Sequence, residues 1–192
     1  MNNVLFISEA NVKDNSDLLE NVDAKFIRNA ILKAQRIHCL PVIGSDLYNK
    51  IEDLITTGEI SLEANEIYKD LLEGELQQSI IPFAMSYLVV TLSFKVTQKG
   101  LQQSENELSA PSSLETIKYL EETHRETGEY WLNRMTAYCQ QFEADLSEYA
   151  SPNTEDDRNI KPDVRNNFGS NIYLRGYNPR RWTNVTNEKY DV

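Results

Sequence analysis

The fold is decided by one apolar stretch, residues 75–99, which reads ELQQSIIPFAMSYLVVTLSFKVTQK. Its apolar residues recur at three- and four-residue intervals on two seams: Leu76, Ile80, Phe83, Tyr87, Val90 and Phe94 on one, and Ile81, Met85, Leu88, Leu92 and Val96 on the other. Two seams predict a helix that is buried on two sides and therefore central. Pro82 is expected to kink this helix or to mark its true start. The run is too short and too often interrupted by polar residues for a membrane span, so we predict no membrane segment.

Two helices are predicted before this stretch, and together they form an αα-hairpin. Asn21 or Asp23 caps the first, and Pro41 is expected to end it. Its apolar residues recur at the three- and four-residue intervals of one buried stripe: Ile27, Ala30, Ile31, Ala34 and Ile37. Ser45 starts the second helix. Gly58 closes it in the position just past a helix end that glycine commonly occupies.

A shorter third helix is predicted to open at Ser61 and to run into Gly74. On the other side of the central stretch, residues 100–113 are polar and aperiodic, and they form a longer connection than compact helical domains normally use. Two interpretations of this loop stay open: it reaches a neighbouring subunit, or it is a flexible surface loop.

The last helix is predicted to start at Ser112 or Ser113 and to continue to about Tyr149. At 1.5 Å per residue, about 35 residues span about 50 Å, which is more than a small bundle covers. Part of this helix is therefore expected to pack on another subunit, unless it breaks near Gly128.

Helical periodicity stops beyond Ser151, which divides the chain into two predicted parts. Residues 1–150 form an all-α body, a four- to five-helix bundle with a long C-terminal helix, and residues 151–192 form an extended, non-helical arm. The body holds 12 Lys and Arg against 24 Asp and Glu (−12), and the arm holds 7 against 6 (+1). So acidic a body disfavours binding to nucleic-acid phosphates.

The motifs of common enzymes and metal sites are missing from the sequence. It has no Gly-rich phosphate loop, His-Glu-x-x-His pair, Cys-x-x-Cys or calcium loop, so we predict no catalytic residue, no metal and no cofactor. Cys39 and Cys139 are interpreted as small core residues, His38 and His124 as structural histidines, and the acidic run 155–157 as a solvated charge cluster. The N-terminus lacks a secretory signal pattern, which indicates synthesis in the cytoplasm.

The arm carries the strongest functional signal, because arginine and aromatic residues dominate binding hot spots. Residues 165–182 hold four arginines, four aromatic residues and no acid. The predicted partner-docking residues are Phe168, Ile172, Tyr173, Leu174, Arg175, Tyr177, Arg180, Arg181 and Trp182. We expect them to lie on another chain; a frayed tail, or a tail that folds back onto its own acidic body, are the alternatives.

Several stretches carry a family resemblance: LFISE from Leu5, NVDAKFIRNAILKAQ from Asn21, LPVIGSDLY from Leu40, TGEYWLNRM from Thr127 and FGSNIYL from Phe168. They resemble head–tail connector proteins, also called adaptor or neck ring proteins, of tailed phages of Bacteroides-type hosts, including crAss-like phages. These stretches are packing patterns and not catalytic signatures.

The resemblance implies a virion protein that forms a homo-oligomeric ring under the portal, of about twelve copies. It implies the portal and neighbouring neck or tail proteins as partners, with DNA passing through the ring without sequence-specific binding, and an arm that reaches the portal. Two rival functions stay open: a small helical scaffolding or regulatory module that forms no ring, and a hydrolase or nuclease with clustered carboxylates. The connector hypothesis is preferred.

Overall fold

The computed structural model describes residues 4–18, 21–97, 100–103, 113–150 and 159–162; at 95–97 and 100–103 it describes the backbone alone. The α-helices are α1 (Glu9–Asp14), α2 (Ala24–Ala34), α3 (Leu40–Ile43), α4 (Ser45–Thr57), α5 (Glu66–Asp70), α6 (Gln77–Ser93), α7 (Leu114–Gln141) and α8 (Ser147–Ala150). Two short strands, β1 (Phe94–Thr97) and β2 (Gly100–Gln103), pair in an antiparallel hairpin. The predicted all-α fold is confirmed.

The predicted helix ends are confirmed where a local capping interaction defines them. The Asp23 side chain accepts a hydrogen bond of 2.9 Å from the backbone N–H of Lys25 and starts α2. Gly58 closes α4 with φ of 75°, in the left-handed region. Ser113 caps α7 by accepting a hydrogen bond of 3.1 Å from the N–H of Thr116.

The prediction that Pro41 ends the first helix is wrong. After α2, the helix continues through a π-helical segment, Gln35–Cys39, into α3 and ends only at Gly44. The Leu40 N–H bonds to the carbonyl of Gln35, five residues back. A wide turn of this kind lies directly before Pro41, where a normal helix would need the N–H that proline lacks.

The prediction of a separate third helix ending at Gly74 is also wrong. Two short 3₁₀ turns, Glu59–Ser61 and Glu63–Asn65, precede α5, and a second π-helical segment, Leu71–Leu76, joins α5 to α6. Gly74 lies within that segment, so α5 and α6 form one continuous helical run. Pro82 lies inside α6 and does not mark its start, and the predicted kink stays a prediction.

The C-terminal limits of the two longest helices also differ from prediction. α6 ends at Ser93 and not near Lys99, because the β-branched and aromatic residues from Phe94 enter the hairpin. β2 takes the first four residues of the predicted loop 100–113. α7 passes Gly128 without a break and ends at Gln141; its 28 residues span about 42 Å, and a turn then leads to α8.

α6 is the centre of the core, as its two seams predict. It packs against α7 on one side and α2 on another. Its nine buried residues are Ser79, Ile80, Ile81, Pro82, Phe83, Ala84, Met85, Ser86 and Leu88. By length and composition the helical run Glu63–Ser93 is also able to cross a membrane, and half of its most apolar window is buried inside the protein.

Two glutamines hold the N-terminal segment on this core. The buried Gln35 accepts a hydrogen bond of 3.1 Å from the N–H of Phe6 and donates one of 3.2 Å to the carbonyl of Val4. Gln77 donates another, of 2.9 Å, to the carbonyl of Phe6. Phe6 and Ile7 are thereby buried at the start of the bundle.

Candidate functional site: exposed faces of the helical body

The predicted docking residues lie outside the described part of the chain. Phe168, Ile172, Tyr173, Leu174, Arg175, Tyr177, Arg180, Arg181 and Trp182 all follow residue 162, and the acidic run 155–157 falls in another undescribed range. Their role in docking stays a prediction. The described residues of the predicted arm are 159–162.

These four residues lie against the turn between α3 and α4. The Ile160 N–H donates to Ser45 Oγ at 2.9 Å, and the Ser45 N–H donates to the Ile160 carbonyl at 2.8 Å. Pro162 is buried, and a Cβ added to Gly44 would lie 2.7 Å from its Cδ. Gly44 has φ of 80° and ψ of 164°, a conformation essentially restricted to glycine. Residues 159–162 of the predicted arm are therefore fixed to the body.

An exposed face of α7 points away from the body. We define the α7 ridge as Glu115, Tyr119, Glu122, Glu126 and Tyr130, which share one side of the helix at 100° per residue, opposite the buried Ile117 and Gly128. Tyr119 is 69% exposed and Tyr130 is 58% exposed. At the start of the same helix, Leu114 is 67% exposed. The first half of α7 is thus poorly covered by the part of the chain that the structure describes.

A second exposed feature is an open groove between α2 and α6. We define the α2 groove by its lining residues: Phe26, Asn29, Ala30, Leu32, Lys33, Arg36, Ile37, Tyr87 and Thr91. Its volume is about 520 Å³. Phe26 is 41% exposed and Ile37 is 56% exposed, although both are large apolar side chains. Sequence reasoning placed Ile37 on the buried stripe of the first helix, so its exposure corrects that placement.

The α2 groove is basic on an otherwise acidic body. Residues 24–43 hold four cations, Lys25, Arg28, Lys33 and Arg36, and no acid, whereas residues 1–150 have twice as many acids as cations. Lys33 lies in the groove with its Nζ 5.7 Å from the centre of the Tyr87 ring. This charge segregation was visible in the sequence, but its significance depends on the neighbouring apolar side chains, which only the fold brings together.

The two cysteines are core residues, as predicted. Both are buried and free, and burial raises the pKa of each thiol to about 12. Cys39 Sγ lies 3.5 Å from Ser79 Oγ, in a buried hydrogen bond. A thiol with so high a pKa holds little thiolate at neutral pH, and the thiolate is the nucleophilic form.

His38 and Phe83 form a stacked pair at the crossing of α6 and α7. Their ring centres lie 3.7 Å apart and their planes differ by 2°. His38 Nε2 is hydrogen-bonded to the Tyr87 hydroxyl at 2.9 Å. Burial lowers the pKa of His38, and the nearby Arg125 guanidinium lowers it further. This histidine is packed as a neutral ring, as expected for a structural residue.

Gly128 lies on the opposite side of the Phe83 ring. A Cβ added at this glycine would lie 2.8 Å from Phe83 Cε1, closer than real contacts allow. The sequence indicated Gly128 as a place where the last helix could break. Its role is instead to let α7 approach the aromatic pair closely.

One buried acid was missed by the sequence analysis. Glu75 is 8% exposed and its Oε1 accepts a hydrogen bond of 3.2 Å from Arg134 on α7. The Arg134 guanidinium also lies 4.9 Å from the Trp131 ring centre. This contact ties the π-helical segment before α6 to α7. The two residues are 59 positions apart, so no local pattern pairs them.

The remaining candidates for chemistry do not converge. In the described ranges, no three His, Cys, Asp or Glu side chains are placed to hold a metal ion. His124 is half-buried at a second, smaller pocket of about 270 Å³ together with Trp131 and Asp17. The predictions of no metal and no cofactor stay predictions.

The fold and these surfaces define the class of protein: an all-α body that exposes two helix faces of opposite charge. Residues 39–159, more than half of the chain, match the model of a family of unknown function, DUF6712, and the chain belongs to that family. The matched region runs from the end of the first long helix to Asn159, in the segment fixed against α4. Neither the curated proteins nor the solved structures include a significant match.

Proposed function

We propose that this protein is a structural virion protein, a head–tail connector that forms a ring between the capsid portal and the tail. The ring holds about twelve copies and surrounds the DNA passage. Each copy contributes its helical body to the ring, and its arginine- and aromatic-rich arm docks on the portal or on a neighbouring neck protein. The protein is made in the host cytoplasm and acts in the virion, and it catalyses no reaction.

The observation that carries this proposal is the poor coverage of α7. Of its 28 residues, only Ile117, Gly128, Met135 and Cys139 are buried. Large side chains in its first half, including Leu114 and Tyr119, remain exposed. Exposed apolar residues grouped on one element mark interaction surfaces. A helix that extends beyond the cover of its own bundle is what a subunit of a larger assembly needs.

The position of residues 159–162 supports the predicted role of the arm. Their hydrogen bonds to Ser45 and Asp46 fix this part of the arm at a defined point on the body. Residues 165–182 follow directly, with four arginines and no acid. A docking segment that starts from a fixed point loses less entropy on binding than one on a free linker.

The charge of the body supports a passive role toward DNA. With 12 more acids than cations, residues 1–150 repel phosphate groups. A ring wall of this charge allows DNA to slide past without adhering.

Among rival functions, the α2 groove favours a small helical binding module that forms no ring, because an open groove of mixed apolar and basic character is suited to one acidic partner.

Light scattering after size-exclusion chromatography separates these functions. The full-length chain is measured alone and with the portal protein encoded in the same genome. We expect a co-eluting complex that contains many copies of this chain per portal. A variant lacking residues 165–192 serves as the control: its helical content is retained, and its attachment to the portal is lost. A monomer under all conditions, with no co-assembly, contradicts the connector function.

A further inference from the structure

We propose that the α7 ridge of one copy docks into the α2 groove of a second copy. The inference rests on the proposed ring and specifies the contact that builds it. Because the groove and the ridge are different surfaces, the contact is heterologous: every copy offers a ridge to one neighbour and a groove to the other. Contacts of this type close into rings when the rotation between copies is suitable.

The large apolar side chains of the two surfaces have the same separation in sequence. Phe26 and Ile37 are 11 residues apart on one helical run, and Tyr119 and Tyr130 are 11 residues apart on α7. On the regular helix α7, eleven residues are close to three full turns, so Tyr119 and Tyr130 lie on one side of it, about 16 Å apart. Phe26 and Ile37 share one side of their helical run because both line the α2 groove, although Ile37 lies in the π-helical segment Gln35–Cys39. Two tyrosines of one copy can therefore lie over the two apolar side chains of the next.

The charges between these side chains are complementary. On the ridge, Glu122 and Glu126 lie between the two tyrosines, and both are accessible to a partner. In the groove, the exposed Lys33 lies between Phe26 and Ile37. Among the described residues, Glu122 forms one ion pair, with Lys118 at 3.7 Å on the surface, a contact that water screens strongly. The ridge carboxylates therefore remain available to the cation of a neighbour.

The same charges argue against the chain's own arm as the occupant of the groove. Residues 165–182 carry four arginines and no acid, and Lys33 and Arg36 would repel them. The α7 ridge has the opposite charge and is present on every copy. A second copy is therefore the occupant that the observations favour.

Charge reversal on the full-length chain tests this interface. Sedimentation analysis gives the self-association constant for the wild type, K33E, E126K and the combined K33E/E126K variant. We expect each single variant to associate on the order of tenfold more weakly or worse, because like charges then face each other. The combined variant should recover most of the loss, since it restores opposite charges between neighbours. E63K, at an exposed acid outside both surfaces, is the matched control and should associate like the wild type.

A mixing experiment shows whether the contact is heterologous. A copy with a reversed groove (K33E) and a copy with a reversed ridge (E126K) should associate with each other more strongly than either does alone. Melting temperatures and circular dichroism of all variants establish that each is folded.

Unchanged association of K33E and E126K overturns this interface and leaves the ring proposal standing, because assembly would then use another face. A wild type that stays monomeric at every concentration overturns the interface, whereas portal attachment tests the proposed function separately. Loss of association in K33E with no loss in E126K also overturns it and indicates a different acidic partner for the groove.

Discussion

Replacing Gly128 by alanine tests the packing of α7 on the centre of the core. The new methyl group would lie 2.8 Å from Phe83 Cε1 and 2.9 Å from two further ring atoms. The ring has no room to retreat, because Phe83 is fully buried and its other face is stacked on His38 at 3.7 Å. Either α7 moves away from α6 or the aromatic pair is displaced.

The expected change in the free energy of unfolding follows from two opposing contributions. Overpacking a well-filled core costs about 1–3 kcal/mol. Alanine is better than glycine inside a helix by about 1 kcal/mol, which offsets part of this cost. We therefore expect Gly128→Ala to lower the free energy of unfolding by up to about 2 kcal/mol, and the melting temperature by about 2–4 °C for each kcal/mol.

Gly74→Ala is the matched control. This glycine is also in a helical run, but an added Cβ meets nothing within 4 Å. Gly74→Ala should therefore gain only from the higher helix propensity of alanine, which stabilises the protein by up to about 1 kcal/mol. Urea unfolding followed by circular dichroism measures both variants. Equal stabilisation of the two would refute the close contact with Phe83, and Phe83→Leu should relieve the effect of Gly128→Ala in a double-mutant cycle.

Three further predictions concern other contacts of the body. Because the folded state holds the pKa of His38 below its usual 6.5, the unfolded chain binds more protons, so stability is full above about pH 6.5 and falls as the pH drops through it. This fall in the free energy of unfolding is at most about 1.4 kcal/mol per pH unit. His38→Phe should remove it, as measured by denaturant titrations at pH 7.5 and 5.5. Glu75→Gln removes the ion pair with Arg134 and should lower the melting temperature by a few degrees in calorimetry, whereas Arg134→Lys should lower it less; no change in either would show that the contact is not stabilising. Gly44→Ala should cost about 1–3 kcal/mol of unfolding free energy, because its backbone conformation excludes a side chain, and Gly58→Ala should cost less since nothing lies near its Cβ.

The sequence predicts the fold class and the helices whose ends carry a local signal. Asp23, Gly58 and Ser113 each lie at the predicted boundary, because a capping hydrogen bond or a left-handed residue acts within one turn. Pro41 and Gly74 were wrong as boundaries. In both places a π-helical segment lets the helix continue, and tertiary packing overrides the local preference.

The candidate site is predictable only in part, for a related reason. The length of the last helix indicated an uncovered portion, and the exposure of Tyr119 and Leu114 agrees with that indication. The α2 groove combines side chains from two helical runs about 50 residues apart, so no periodicity within one helix indicates it. The same holds for Glu75 and Arg134, whose contact exists only once α7 lies across the core.

Electron microscopy of the full-length chain bound to the portal protein of its own genome tests the connector function most directly. A closed ring of many copies is expected, with the first half of α7 buried between neighbours and residues 163–192 in contact with the portal. Copies bound singly, or a ring in which Tyr119 and Tyr130 remain in solvent, would contradict the proposed assembly.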